Sequence, residues 1–300
     1  MKKIAVLLAA YNCEKYLHEQ IETILNQVNV EVTIFVSLDK SSDDSYEILQ
    51  TCTKRYKNIN LLEYGKRYGS AGQNFFRLIC EVNTDMFDYI CFSDQDDIWF
   101  PSKLSHGIKV LKDSKADAYS ADVFAYWNDK NSKLLKKSYP QVEFDYLFES
   151  AGPGCTYIFK KDKYLIFQDY LRKNNNKLET VWLHDWLSYS FYRNNNFKWV
   201  IDDMPHMYYR QHSRNEVGAN LNIKSMLSRV KILLSDNGYD FVIKQAEFLN
   251  QNNLKPIMLI NFKTRSAFFK LSMMSYKFRR KKIEKFLCML FFMYKSFKGR

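Results

Sequence analysis

The first half of the chain alternates between short apolar runs and longer stretches in which apolar residues recur every three or four positions. The runs predict β-strands, and the longer stretches predict α-helices. Strands are predicted at 3–9, 30–38, 59–64, 87–93 and 116–125, and helices at 14–27, 43–56, 72–82 and 101–112. This alternation is typical of an α/β fold with a doubly wound sheet, whose ligands bind beyond the carboxyl ends of the strands.

The second half of the chain shows fewer alternations. A strand is predicted at 157–160, a helix at 184–193 and a strand at 198–202, and the pattern after Asn222 is helical to the end. We therefore expect two parts: a catalytic α/β domain at 1–220, and a helical region with a basic amphipathic tail at 221–300.

Charge is concentrated at the carboxyl terminus. The 300 residues carry a formal net charge of +12, and residues 263–300, with twelve basic residues and one acid, supply +11 of it. The rest of the chain is nearly neutral, so we expect no nucleic-acid partner. The six cysteines form no CxxC pair, as expected for reduced thiols in a cytoplasmic protein.

Residues 93–97 (SDQDD) place three carboxylates directly after the predicted strand at 87–93. Alternate residues of an extended segment point the same way, so Asp94 and Asp96 can share one cation. Magnesium keeps several waters and takes few protein carboxylates, which leaves room for phosphate oxygens. A solvated turn in which Asp97 caps a helix is the alternative explanation.

Other residues near the strand ends suit a nucleotide. The carboxylate of Asp39 can accept a hydrogen bond from the imide N–H of uracil or thymine, and Tyr11 can stack on that base. The segment 69–72 (GSAG) precedes a helix, so its free backbone N–H groups can face a diphosphate, with the charge of Arg67 nearby. For Asp39, a turn is the alternative explanation.

Seven stretches of the chain together resemble bacterial glycosyltransferase family 2 enzymes of the GT-A fold. Within that family they are similar to the rhamnosyltransferase-type group of cell-surface polysaccharide synthesis. In chain order they read AAYNCEKYLHEQIETILNQ, VSLDKSSDDS, GSAGQNFFRLI, FSDQDDIWFPSKL, GCTYIF, LHDWLSY and YRQHSRNEVGAN. The resemblance implies a doubly wound mixed sheet flanked by helices, followed by a helical basic extension.

The resemblance also implies roles at matching positions. Tyr11, Glu14 and Asp39 sit where the family holds the nucleoside, and we add Arg67 and Gly69 to this donor site. Position 40 (Lys) and positions 67–68 (Arg-Tyr) depart from residues that are common in the family. These departures concern the identity of the donor and not the fold.

The metal and catalytic residues follow from the same match. Asp94 and Asp96 form the DxD motif, in which Asp96 is the direct metal ligand and Asp94 also faces the donor. Asp185 matches the catalytic base, and His212 matches a histidine that reaches back toward the metal and the diphosphate. From the residues alone, a surface histidine beside Arg210 is the alternative for His212.

Asp185 also suits its role chemically. A single displacement with inversion needs one base for the acceptor hydroxyl and one cation for the departing diphosphate. The neighbours Trp182, His184 and Trp186 fit an acceptor site in which aromatic rings stack on a sugar. An ordinary acid in the first turn of a helix is the alternative, and the residues alone support both equally.

Together these observations predict an inverting glycosyltransferase that depends on Mg²⁺ or Mn²⁺. It would move L-rhamnose from dTDP-rhamnose, or a hexose from a UDP-sugar, to a saccharide or lipid-linked acceptor in surface polysaccharide synthesis. A metal-dependent nucleotidyl- or phosphotransferase is the alternative, and it would release pyrophosphate or phosphate instead of a nucleoside diphosphate.

The tail adds an expected partner. Its longest uncharged apolar run, 286–294, is nine residues, well short of the roughly twenty that span a bilayer. Aromatic residues and methionines alternate with basic clusters, as in helices that lie in an anionic membrane interface. We expect peripheral binding to the cytoplasmic face of the cell membrane. A helix packed on the catalytic domain, with a solvated basic face, is the alternative.

Overall fold

The apolar run at the amino terminus forms strand β1 (Lys2–Ala10), whose side chains alternate between two cores. Leu7 packs into one hydrophobic cluster, whereas Val6 and Leu8 pack into the other. A strand covered on both faces has a continuous apolar sequence, because neither face meets water. The run at 3–9 is therefore the centre of the fold.

The computed structural model describes residues 1–127, 131–212 and 239–298. The strands after β1 are β2 (Val30–Leu38), β3 (Ile59–Leu61), β4 (Tyr89–Ser93), β5 (Ile98–Trp99), β6 (Ala118–Ala121), β7 (Val123–Tyr126), β8 (Ser132–Leu135), β9 (Ile158–Lys160), β10 (Trp199–Asp202) and β11 (Met207–Arg210). The helices are α1 (Leu17–Leu25), α2 (Ser45–Arg55), α3 (Ala71–Glu81), α4 (Lys103–Asp113), α5 (Lys161–Lys173), α6 (His184–Asn194), α7 (Asp240–Phe248), α8 (Lys255–Phe262), α9 (Arg265–Met274) and α10 (Lys282–Lys298).

The central sheet has seven strands in the order β10-β6-β9-β4-β1-β2-β3. β1 pairs in parallel with β2 and β4, and only β9 among these strands runs antiparallel to its neighbours. The parallel strands β1, β2 and β4 end side by side at Ala10, Leu38 and Ser93. A second sheet, ordered β5-β11-β7-β8, lies beyond this edge.

The predicted elements of the first half are confirmed, with ends that shift by a few residues. The predicted strand at 116–125 is wrong in one respect, because it divides at Asp122 into β6 and β7, which belong to different sheets. Asp122 is buried, and its carboxylate accepts the backbone N–H groups of Lys137 and Ser138. Helix α5 and the short strands β5, β8 and β11 were not predicted.

The carboxyl-terminal helices pack against the catalytic part of the chain. Phe278, Phe291 and Phe292 are buried in the same hydrophobic cluster as Phe75 and Phe159. The packed helix, which the sequence left as the alternative for the tail, is thus what the structure contains. The predicted division between 220 and 221 lies outside the described residues, as does the helical pattern at 222–238.

None of the helices in the described ranges is both long enough and apolar enough to cross a bilayer.

Candidate active site

A cavity of about 1280 Å³ opens where β1, β2 and β4 end. Ten of the residues predicted from the sequence line it: Tyr11, Glu14, Asp39, Arg67, Gly69, Asp94, Asp96, His184, Asp185 and His212. The strand topology explains this convergence, because parallel neighbours deliver the residues that follow them to one edge of the sheet.

Asp39 organises the loop that follows β3. It is buried, and its Oδ1 accepts the backbone N–H groups of Lys40 at 2.8 Å and Tyr68 at 2.7 Å, while Oδ2 accepts that of Gly69 at 2.9 Å. A carboxylate oxygen has two lone pairs, so Oδ2 can accept one more hydrogen bond from the cavity. Asp39 can therefore both fix the loop and bind a ligand N–H.

Gly69 and Ser70 shape the start of helix α3. Gly69 has a φ of +85°, a conformation that favours glycine. The Ser70 hydroxyl accepts the N–H of Gln73 and so caps the helix. Arg67, Gly69 and Ser70 line the cavity at this end of the helix, where the helix dipole favours an anion.

Tyr11 and Glu14 lie on the outer part of the same wall. The Tyr11 side chain is 45% exposed, and its backbone N–H donates to Oε1 of Gln95 at 2.6 Å. Glu14 is exposed, and its Oε2 accepts the N–H of Asp44 at 3.1 Å. The Gln95 contact ties the end of β1 to the SDQDD segment, so the middle residue of the motif has a positioning role that the sequence did not indicate.

Asp96 and His212 meet although they are 116 residues apart. Nε2 of His212 lies 2.5 Å from Oδ2 of Asp96, and the His212 ring stacks on Tyr16 with a centroid distance of 5.5 Å. Arg210 reinforces the junction, since its Nε donates to the carbonyl of Asp96 at 2.8 Å. The last strand of the second sheet thereby brings His212 to the DxD motif.

Asp94 belongs to a second group of possible ligands. One ligand atom from each of Asp94, Asp97 and Cys155 lies within 4.8 Å of the others. Oδ2 of Asp97 is buried and has no hydrogen-bond partner among the described residues. Burial, together with the charges of Asp96 and Asp94, raises the pKa of Asp97 well above its usual range.

The Asp96–His212 pair and the cluster of Asp94, Asp97 and Cys155 supply the possible ligands for a cation. Carboxylate oxygens and an imidazole nitrogen are ligands that Mg²⁺ and Mn²⁺ accept. A cation would also offset the repulsion among three neighbouring carboxylates. These ligand types fit a divalent metal ion. Among the described residues, however, Asp94 is grouped with Asp97 and Cys155, and the ligand atoms of the predicted set Asp94, Asp96 and His212 do not all lie within 4.8 Å of one another.

Asp185 lies in the first turn of α6 and also lines the cavity. Burial raises its pKa to about 6, although a hydrogen bond from the backbone N–H of Trp186 at 2.6 Å and the charge of Lys137 act in the opposite direction. A carboxylate with a pKa near neutrality is suited to accept a proton in catalysis.

The three predicted acceptor-side neighbours of Asp185 are placed differently. His184 is buried beside the cavity and stacks on Phe75 at 3.7 Å, and burial lowers its pKa to about 3, so the ring is neutral. Trp186 faces the core and donates its indole N–H to the carbonyl of Tyr146 at 2.9 Å. Trp182 is 41% exposed and packs on Phe241. Neither tryptophan lines the cavity.

Gly154 explains how the wall around Asp185 closes. A Cβ atom at this position would lie 2.6 Å from Nε2 of His184 and 3.1 Å from Cβ of Asp185. Any larger residue would displace one of these two side chains. The GCTYIF stretch therefore supports the position of Asp185.

Sequence reasoning missed a charged part of this wall. The cavity is also lined by Lys136, Lys137, Glu149, Arg280, Lys281 and Glu284. The basic residues of the tail were a signal, but the sequence analysis assigned them to a membrane surface.

Comparisons with known proteins identify the family of this chain. The family model for glycosyl transferase family 2 matches residues 5–199. The dTDP-rhamnosyl transferase RfbG of Shigella flexneri is 38% identical over 284 residues, which cover 94% of this chain and 98% of that protein. The UDP-Glc:alpha-D-GlcNAc-diphosphoundecaprenol beta-1,3-glucosyltransferase WfaP of Escherichia coli is 24% identical over 161 residues, covering 52% of this chain and 59% of that protein.

Solved structures share the fold. S. aureus TarS 1-349 in complex with UDP-GlcNAc superposes with a TM-score of 0.55 at 15% identity, covering 99% of this chain and 92% of that chain. This likeness, together with the mixed sheet, confirms the predicted fold class, and the family match confirms the resemblance drawn from the motifs.

Proposed function

Because the chain belongs to glycosyl transferase family 2, we propose that this glycosyltransferase inverts the anomeric centre and depends on a divalent metal ion, Mg²⁺ or Mn²⁺. The observation that carries the proposal is the arrangement of the cavity. The same cavity is lined by Asp96, which contacts His212, and by Asp185, whose pKa is raised by burial. A single displacement needs these two groups on opposite sides of the reacting carbon.

The donor occupies the wall formed by the strand ends. Asp39 uses the free lone pair of Oδ2 to accept an N–H from the base, and Tyr11 and Glu14 contact the nucleoside. The diphosphate faces Arg67 and the amino-terminal end of α3 beyond Gly69. Asp94, Asp96 and His212 would hold the metal ion, which would offset the charge of the departing diphosphate.

The transfer step requires one proton acceptor. Asp185 takes the proton of the acceptor hydroxyl as its oxygen bonds to the anomeric carbon. The bond between that carbon and the diphosphate oxygen breaks, and the nucleoside diphosphate leaves with the electron pair. The ring of His184, which is neutral and stacks on Phe75, adds no charge beside Asp185.

The donor sugar is L-rhamnose carried on dTDP, with a hexose carried on UDP as the second candidate. The similarity to the dTDP-rhamnosyl transferase of Shigella flexneri over nearly the whole chain supports the first. The acceptor is a saccharide, either free or lipid-linked, in surface polysaccharide synthesis.

Thermal unfolding against a panel of nucleotide sugars tests this function. A ligand that binds only the folded state raises the midpoint temperature. We expect dTDP-rhamnose to raise it most, and only with Mg²⁺ or Mn²⁺ present, with Asp96→Asn as the variant that loses the metal effect. Incubation with the selected donor and acceptor should release intact nucleoside diphosphate. Release of pyrophosphate or phosphate would instead support a nucleotidyl- or phosphotransferase.

The tail is proposed to bind the cytoplasmic face of the membrane through the side that does not pack on the domain. Phe269, Phe286 and Phe297 are 51%, 51% and 76% exposed, among lysines of the same helices. Co-sedimentation of Phe286→Ser/Phe297→Ser with anionic vesicles should be weaker than that of the intact protein. Met86→Ser, which changes a residue 76% exposed on the catalytic part, is the control. Equal binding of all three proteins would contradict the proposal.

A further inference from the structure

One aromatic residue of the cavity has no part in the transfer step described above. Tyr16 lines the cavity directly before helix α1, and the donor-side residues Tyr11 and Glu14 shortly precede it. Its ring contacts Arg210, the last residue of β11, and His212, which lies just beyond. Tyr16 therefore connects the first helix to the strand that brings His212 to the DxD motif.

The backbone around Tyr16 is anchored in the core. The carbonyl of Cys13 accepts the N–H groups of Tyr16 and Leu17, both at 3.0 Å. Cys13 is buried, and its own N–H donates to the hydroxyl of Ser45 at 2.8 Å. The side chain of Tyr16 thus starts from a fixed point of the chain.

The His212 ring lies almost parallel to that of Tyr16. The two planes differ by 18°, and the ring centroids are 5.5 Å apart. An imidazole can rotate about the bond that joins it to Cβ, and a stacked neighbour limits that rotation. In this orientation Nε2 of His212 lies 2.5 Å from Oδ2 of Asp96. A histidine that binds a metal ion depends on neighbours that fix its ring in this way.

Arg210 contacts the same ring and also the DxD segment. Its guanidinium carbon lies 4.5 Å from the centre of the Tyr16 ring, a distance typical of a cation–π contact. Its Nη2 donates to Oε2 of Glu19 on α1 at 2.6 Å, and its Nε donates to the carbonyl of Asp96 at 2.8 Å. The Glu19 side chain is 53% exposed, and exposed ion pairs contribute little. We therefore attribute the hold of α1 on Arg210 mainly to the Tyr16 ring.

We propose that Tyr16 is a positioning residue for His212. The Tyr16 ring holds the imidazole in the orientation in which it meets Asp96, and thereby supports binding of the divalent metal ion. The assignment rests on the proposed function, because that function makes His212 a metal ligand. It requires the aromatic ring of Tyr16 and not its hydroxyl group, since the ring makes both contacts. Ordinary packing of a half-buried tyrosine is the competing explanation.

Titration of Mn²⁺ separates these two explanations. The intact protein and three variants, each saturated with dTDP, are compared by calorimetry. Loss of a residue that orients a metal ligand typically costs about 10–100-fold in metal affinity, so the Mn²⁺ dissociation constant should rise by that factor in Tyr16→Leu. It should stay unchanged in Tyr16→Phe, which keeps the ring.

Tyr56→Leu is the matched control. Tyr56 is also half-buried and also has an arginine over its ring, Arg55 at 5.2 Å, but it does not line the cavity. The Mn²⁺ dissociation constant of Tyr56→Leu should equal that of the intact protein. Equal dissociation constants for Tyr16→Leu and Tyr56→Leu would overturn the proposal.

A second measurement reports the contact itself, without metal or activity. The chain has five histidines, so their ring protons can be distinguished by NMR, with His212→Gln to assign those of His212. Stacking on an aromatic face should shift these protons to higher field in the intact protein and in Tyr16→Phe. The shift should disappear in Tyr16→Leu.

The remaining outcomes are distinct. An unchanged His212 spectrum in Tyr16→Leu would contradict the proposal, and so would unfolding of this variant, which would give Tyr16 a structural role. If the intact protein binds no Mn²⁺ but the shift is present, the contact is supported and the metal dependence of the proposed function fails.

Discussion

The two walls of the cavity are built in different ways. The donor wall is formed by residues that follow β1, β2 and β4, and backbone hydrogen bonds such as those to Asp39 hold it together. The wall around Asp185 is held by contacts of Arg280 with Asp145, Glu149 and Ser150, which span 130 to 135 residues. Sheet topology dictates the first wall, whereas particular side-chain pairs create the second.

This difference suggests that the two walls have different functional roles. A wall set by strand order persists through many sequence changes, because parallel strands always end at one edge. A wall set by buried ion pairs depends on each partner. We therefore expect the donor wall to carry the chemistry common to the family and the Asp185 wall to carry the choice of acceptor.

Asp185→Asn should have the largest effect, and it should distinguish the role of the Asp185 wall in transfer from the role of the donor wall in donor binding. General-base catalysis contributes about 10²–10⁴-fold, and the amide cannot accept the acceptor's proton. Transfer should fall by that factor, measured as nucleoside diphosphate released with saturating donor. The donor dissociation constant, measured by calorimetry, should not change. A parallel loss of donor affinity would place Asp185 in the donor wall and would contradict separate roles for the two walls.

Asp96→Asn should come next and act on the other wall. The metal ion supplies several kcal/mol of charge stabilisation, so loss of a direct ligand should reduce transfer by roughly 10²–10³-fold. Donor affinity in the presence of Mn²⁺ should fall as well, which distinguishes this variant from Asp185→Asn. EDTA treatment of the intact protein should reproduce both effects. Full activity in EDTA would show that no metal ion takes part.

The donor wall was largely predictable from the sequence, and the other wall was not. Asp39, Asp94 and Asp96 follow apolar runs, and such runs reveal strand ends. The pairing of Arg280 with Asp145 leaves no local pattern, since any arginine of the tail could meet any acid of the domain. The tail was expected at the membrane for that reason, because local sequence shows an amphipathic helix but not what covers its apolar side.

Arg280→Met should reveal the structural role of the second wall. The Arg280 and Asp145 side chains are 2% and 0% exposed. Removing Arg280 leaves the buried Asp145 with Arg193 as its guanidinium partner and takes one contact from Glu149, which should lower the free energy of unfolding by up to about 3 kcal/mol. Arg67→Met, on the exposed donor loop, should leave it unchanged. Midpoints of denaturant unfolding for the two variants test this, and equal midpoints would mean that the tail contributes no more than the loop.

The pH dependence of transfer should report the Asp185 wall with the smallest effects. Burial raises the pKa of Asp185 to about 6, and the base works only when ionised. Activity should therefore be constant above that pH and fall about tenfold for each pH unit below it. Lys137 stabilises the ionised form, so Lys137→Gln should move the midpoint to higher pH, while Lys282→Gln should not move it. Rates of the three proteins between pH 5 and 8, with saturating donor and fold checked by circular dichroism, decide the matter. An unchanged midpoint pH in Lys137→Gln would mean that the titrating base is not Asp185.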